Sequence, residues 1–148
     1  PNIRDLISDE QARDPSDAGR RAYFVAQSAL PNLEIKQTWV ERFLDTENPL
    51  PLSNLRAAMG SIFPPGQEEL QLALLPRLTT DLPILAAEKD NYYLQSYGRD
   101  LFAGICSKEG LEIIAQSISE PDAIGPTLYR FISENVQSAE LCVASKEN

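Results

Sequence analysis

The chain has 148 residues, a length that fits one domain and lets a fold hide most of its apolar surface. Hydrophobic residues make up 43% and charged residues 24%, the balance of a globular chain and not of a disordered one. Thirteen Lys plus Arg against 22 Asp plus Glu give a formal net charge of -9, the wrong sign for gripping a phosphate backbone, so no nucleic-acid partner is expected.

No apolar run exceeds five residues, as at Ala22-Tyr23-Phe24-Val25-Ala26, and Leu72-Ala73-Leu74-Leu75 is four, which leaves no candidate membrane span. The opening Pro1-Asn2-Ile3-Arg4-Asp5 does not read as a secretory signal, and the expected location is cytoplasmic. With no histidine, Ser-His-Asp and Cys-His catalysis and every His-bearing zinc site are out of reach. Cys106 and Cys142, the only two cysteines, are too few for a zinc tetrad or a disulfide framework. They read as reduced thiols packed like small hydrophobes.

Apolar spacing is helical along the chain. Asp17 is placed to cap a helix whose face of small residues is Ala18, Ala22, Ala26 and Ala29. Pro31-Asn32 closes it, and Asn32 caps the next, with Leu33, Trp39, Val40, Phe43 and Leu44 as its apolar face. Asn48-Pro49-Leu50-Pro51 is a loop, because two prolines remove donors and bias the preceding residues to extended backbone. Ser53 caps a short helix through Leu55, Ala58, Met59 and Ile62, with Gly60 inside it. Pro64-Pro65-Gly66 reads as a tight turn between helices.

A helix from Gln67 carries Leu70, Leu74 and Leu78, with Pro76 expected to kink or split it and Pro83 opening the one after. Asp90 caps a helix through Tyr93, Leu94, Tyr97, Leu101, Phe102 and Ile105. Ser107 caps one with Leu111, Ile114, Ala115 and Ile118 at i, i+3, i+4, i+7, and Pro121 ends it. Gly125-Pro126 starts the last, striped by Leu128, Ile132, Val136, Ala139 and Val143, with a fraying tail at 145–148. The reading is all-α: about eight short antiparallel helices over residues 1–148 as a single domain, stacked as an irregular HEAT/armadillo-like α-solenoid.

Chemistry-bearing clusters are sparse. The pairs Asp9/Glu10, Glu68/Glu69, Glu88/Asp90 and Glu120/Asp122 fall at helix ends or in polar stretches, where solvation or the helix dipole accounts for them. The stretch 91–100 is the most unusual. Tyr93, Tyr97 and Arg99 could line a groove that grips a peptide, Arg99 meeting a carboxylate. Alternatively the tyrosines pack between helices with their hydroxyls at the surface, and Arg99 pairs with Asp100. No glycine-rich phosphate cradle is present.

Asp14-Pro15-Ser16-Asp17-Ala18-Gly19-Arg20-Arg21-Ala22, then Ala26, Ala29-Leu30-Pro31, Lys36 and Trp39, resembles the opening of the helical C-terminal domain of zinc aminopeptidases of the aminopeptidase N family. Lys36 and Trp39 stand one residue closer than in that family. Leu55–Leu70 adds the family's short helix, glycine, aromatic, P-x-Q and E-L run. The resemblance covers the first half of the chain. It implies structural roles for Asp17, Gly19, Trp39, Gly60, Pro65 and Gln67.

It further implies a non-catalytic domain of a larger metallopeptidase that walls a peptide chamber, with no metal or cofactor of its own. The parent's zinc would be held elsewhere by H-E-x-x-H and a distal Glu. The implied partners are the catalytic domain of the same parent chain and peptide substrates, whose protonated amino termini an acidic concave face would attract. A freestanding helical scaffold for protein–protein interaction is the alternative, and a small-molecule-binding bundle a third reading.

Overall fold

The computed structural model describes residues 2–48 and 50–147; Pro49, within the expected loop, and the termini Pro1 and Asn148 lie outside it. Nine helices run among the described residues: α1 (Ile3–Arg13), α2 (Asp17–Ser28), α3 (Leu33–Leu44), α4 (Leu52–Met59), α5 (Glu68–Thr80), α6 (Leu82–Glu88), α7 (Asn91–Asp100), α8 (Lys108–Ser117) and α9 (Pro121–Lys146). No strand occurs among them. The all-α expectation holds; the count of eight left out α1.

The caps explain most boundaries. Asn32, Asp90 and Ser107 accept from the backbone N–H of Ile35, Tyr93 and Gly110 at 2.9, 2.9 and 3.1 Å, as the sequence predicts. Two caps fall elsewhere. Ser16, not Asp17, caps α2, accepting from Gly19 N–H at 3.1 Å, and Asp17 is the first helical residue, where its charge complements the dipole. The cap position of α4 is Pro51, with no side-chain bond, so Ser53 lies inside the helix. Gly60 ends α4 as its C-cap and does not sit within it.

Pro65 and Gly66 form a tight turn closed by Gln67 N–H to the Pro64 carbonyl at 3.2 Å. Gly66 takes φ +94 there, as the third position of a type II turn requires. α5 continues through Pro76 to Thr80, so the expected split does not occur. α7 stops at Asp100, leaving Leu101, Phe102 and Ile105 buried but in the following turn. Gly125, at φ +78, breaks α9 behind a first turn at Pro121. The helix then holds to Lys146, through the first two residues of the tail expected to fray.

The helices pack in two rows. α2, α4, α7 and α9 follow one another in the first and α3, α5 and α8 in the second, with α1 against α2 and α6 against α9. Arg56 Nε donates to Ser96 Oγ at 2.7 Å, and Gly60 lies beside Asp100 further along, so α4 and α7 run the same way. Thr127 on Asn91 (3.0 Å) and Asn135 on the Gly98 carbonyl (2.8 Å) set α7 and α9 parallel too. Trp39, Phe43, Met59, Leu75, Leu78, Tyr97, Phe102, Ile114 and Ile132 fill the shared core between the rows.

One separation recurs. Several pairs of residues bonded between elements are separated by 36 residues (Arg77 to Glu41, Thr127 to Asn91), 37 (Asn135 to Gly98), 38 (Gln67 to Ala29), 40 (Arg56 to Ser96, Lys146 to Cys106) and 43 (Lys89 to Thr46). Other inter-element bonds fall outside this range, at 19 for Tyr97 to Leu78, 26 for Lys36 to Ile62, 30 and 32 for Gln71 to Leu101 and Ala103, and 50 for Tyr93 to Phe43.

The expectation of reduced thiols is corrected. Cys106 and Cys142 form a disulfide, 36 residues apart with Cα atoms 5.3 Å apart. The small number of cysteines misled here: two suffice for a single bond because the end of α9 comes back to the turn ahead of α8.

Candidate interaction surfaces

Several residues that carry the resemblance make contacts within the helical framework. Asp14 Oδ1 accepts from the N–H and the hydroxyl of Ser16 at 3.2 and 2.5 Å, and these bonds hold its carboxyl below the usual range. A Cβ on Gly19 would sit 2.1 Å from the Asp14 carbonyl oxygen, so the α1–α2 corner closes only around glycine. No such crowding surrounds Gly60, whose nearest neighbour to an added Cβ is at 3.7 Å; nothing in the structure explains glycine there. Pro65 fixes the exposed turn before α5. Trp39 is buried in contact with Phe24 and Phe43, with the Arg42 guanidinium stacked 4.6 Å from its ring.

Lys36 is the most unusual of them. It lies on α3 with 0% of its surface exposed. Its Nζ donates to the Ser28 carbonyl at 2.9 Å and to the Ile62 carbonyl. Gln67 Nε2 donates to the adjacent Ala29 carbonyl at 2.9 Å, while its Oε1 is buried without a partner. A cation and an amide thus take the carbonyls that α2 leaves open at its C-terminus, where the dipole favours positive charge. Burial lowers the Lys36 pKa from 10.5 to about 8. Such a pKa suits a nucleophilic lysine, but an ammonium enclosed between two carbonyls has no substrate path.

Two of the three expected peptide contacts are corrected. Tyr93 and Tyr97 are 3% and 0% exposed, and their hydroxyls donate to the carbonyls of Phe43 and Leu78, the latter at 2.6 Å. Both acceptors lie in the last turns of α3 and α5, so each tyrosine satisfies an orphan helix-end carbonyl and ties α7 to the second row. Neither presents a hydroxyl to a peptide, nor at the surface. Arg99 is exposed and pairs with Asp100 at 3.0 Å. The side of α7 that does face outward carries Tyr92, 66% exposed, with Gln95 and Arg99.

Chemistry-bearing clusters stay dispersed. Among the described residues no three of His, Cys, Asp and Glu converge as metal ligands. Asp9/Glu10, Glu68/Glu69 and Glu120/Asp122 are exposed, and Asp90 is occupied as a cap. Arg77 grips Glu41 with two bonds of 2.7 and 3.0 Å and Asp81 with a third at 3.0 Å, which raises its pKa and fastens α3 to α5.

Several concave surfaces remain. An open groove of about 920 Å³ runs between α5 and α8, lined by Pro76, Thr79, Glu112, Ile113 and Gln116. A cleft of about 340 Å³ lies between α1 and α2, floored by Leu6, Ile7, Ala22 and Ala26 and edged by Glu10 and Asp14. Sequence reasoning missed α1, and with it this cleft; Asn2 accepting from Asp5 N–H at 3.0 Å was the available signal. Compared with known proteins, the chain matches no family model and no curated sequence.

Proposed function

We propose that this chain is a non-catalytic helical domain of a larger zinc aminopeptidase, covering the catalytic domain of its parent and shaping the path of peptides to it. The observation that carries this reading is the recurrence of cross-helix bonds at 36 to 43 residues, close to the repeat length of HEAT-type solenoids. On this reading the chain is an irregular α-solenoid of helix pairs. Its motif-bearing residues — Asp14 and Gly19, Lys36 and Gln67, Trp39 — act as joints of the stack. Zinc and the H-E-x-x-H helix belong to the parent's other part. The acidic surface would draw in the protonated amino termini of peptides.

No helix among the described residues is long and apolar enough to cross a membrane. We keep the cytoplasm as the proposed location, where disulfides are uncommon and mostly transient or redox-sensing.

The α5–α8 groove favours a second reading, a scaffold that holds another protein without any parent enzyme. An aminoacyl arylamide assay with added zinc tests the non-catalytic assignment: no arylamine release is expected. Turnover that rises with the concentration of this chain would overturn both readings.

A further inference from the structure

We propose that the Cys106–Cys142 disulfide is a redox-operated clasp, which a dithiol reductant opens to release the end of α9, residues 140–147, from the rest of the stack. This goes beyond the aminopeptidase reading and does not depend on it.

Little else holds that segment. α9 buries Ile124, Leu128, Ile132, Val136 and Ala139, and no side chain beyond them is buried among the described residues. Leu141 is 74% exposed. Two polar ties remain. Lys146 Nζ donates to the Cys106 carbonyl at 3.1 Å. Lys108 pairs with Glu147 at 2.7 Å, with side chains 75% and 54% exposed, and ion pairs so exposed contribute little.

The other side of the clasp is fixed independently. Gln71 Nε2 donates to the carbonyls of Leu101 and Ala103 at 3.1 and 2.8 Å, Ile105 is buried, and Ser107 caps α8. Opening the bond therefore leaves the 101–107 turn in place and frees the helix end. Cys106 and Cys142 are each half-buried, which leaves a route for a small reductant.

The release has a structural output. A cavity of about 100 Å³ beside the bond is lined by Leu72, Leu75, Ile105 and Gly110, with Cys106 and Lys146 forming part of its wall. Departure of α9's end takes Lys146 out of that wall and opens access to its apolar lining. In the chemical step, one reductant thiolate attacks a cysteine sulfur and displaces the other as thiolate. The second reductant thiol then resolves the mixed disulfide. Two electrons and two protons pass to the cysteines, and the reductant leaves as its own cyclic disulfide.

Hydrogen exchange of the full chain, with and without dithiothreitol, tests this. Thiol titration in denaturant should find no free thiol in the air-equilibrated protein and both after reduction. Reduction should speed amide exchange across 140–147 by about tenfold or more, leaving 126–136 protected. The double variant Cys106→Ser, Cys142→Ser should exchange like the reduced protein and ignore the reductant. Free thiols in the air-equilibrated protein, unchanged exchange on reduction, or faster exchange along the whole chain would each overturn the proposal.

Discussion

Buried polar side chains do their work here by finding helix-end carbonyls. Lys36 is the sharpest case, because its folded pKa of about 8 lies below the 10.5 of an unburied lysine. Between those values the unfolded chain binds more protons than the folded one, so this group makes stability rise with pH across that window. Lys36→Met should remove that rise and, by leaving the Ser28 and Ile62 carbonyls without a donor, cost about 1–3 kcal/mol. Urea unfolding of both proteins at the two ends of the window checks this, and a variant that kept the rise would refute it. Tyr97→Phe keeps the ring and strands the Leu78 carbonyl. It should lower stability by about 1–3 kcal/mol in the same measurement. In a parent enzyme it should leave KM for peptides unchanged.

At the scale of elements, the α1–α2 corner rests on a glycine that has no room for a methyl group. Gly19→Ala forces Asp14 or the start of α2 to move, at a cost of about 1–3 kcal/mol. The damage should stay local, read as faster proteolysis between Asp14 and Ser16 with α3 to α9 intact. Most elements were legible in the sequence because caps and apolar stripes coincide, as at Asn32 before Trp39 and Phe43, or Ser107 before Ile114.

α1 was not legible, since Ile3, Leu6 and Ile7 make a short stripe that is itself mostly exposed. The path through Pro76 was hidden because α5 keeps Leu74, Leu75 and Leu78 in the core on either side of it, and tertiary packing outweighs one lost hydrogen bond. Tyr93 and Tyr97 were legible as part of an apolar stripe, but not as donors. Their acceptors lie 50 and 19 residues away, on other helices.

For the whole molecule, the proposed repeat rests on contacts between helices and not on any sequence period. No stretch of sequence resembles another closely enough to betray a period, yet Arg77 to Glu41 and Asn135 to Arg99 both span 36 residues. In a solenoid each pair of helices needs its neighbours to bury its stripe, whatever residues form that stripe. A row-on-row stack should exceed the radius of gyration of a compact chain this long, roughly 15 Å. Small-angle scattering of the monomer reads that difference, and a value at or below the compact one would count against the stack.

The acidic pairs are solvated or, at Asp90, serve as a cap, and Tyr93 and Tyr97 tie helices together. The proposal places bond-breaking in another stretch of polypeptide. The most direct measurement is to determine the coding sequence that precedes this segment in its gene. The account predicts an H-E-x-x-H helix and a downstream glutamate in the same reading frame; a frame that encodes no such zinc site would contradict it.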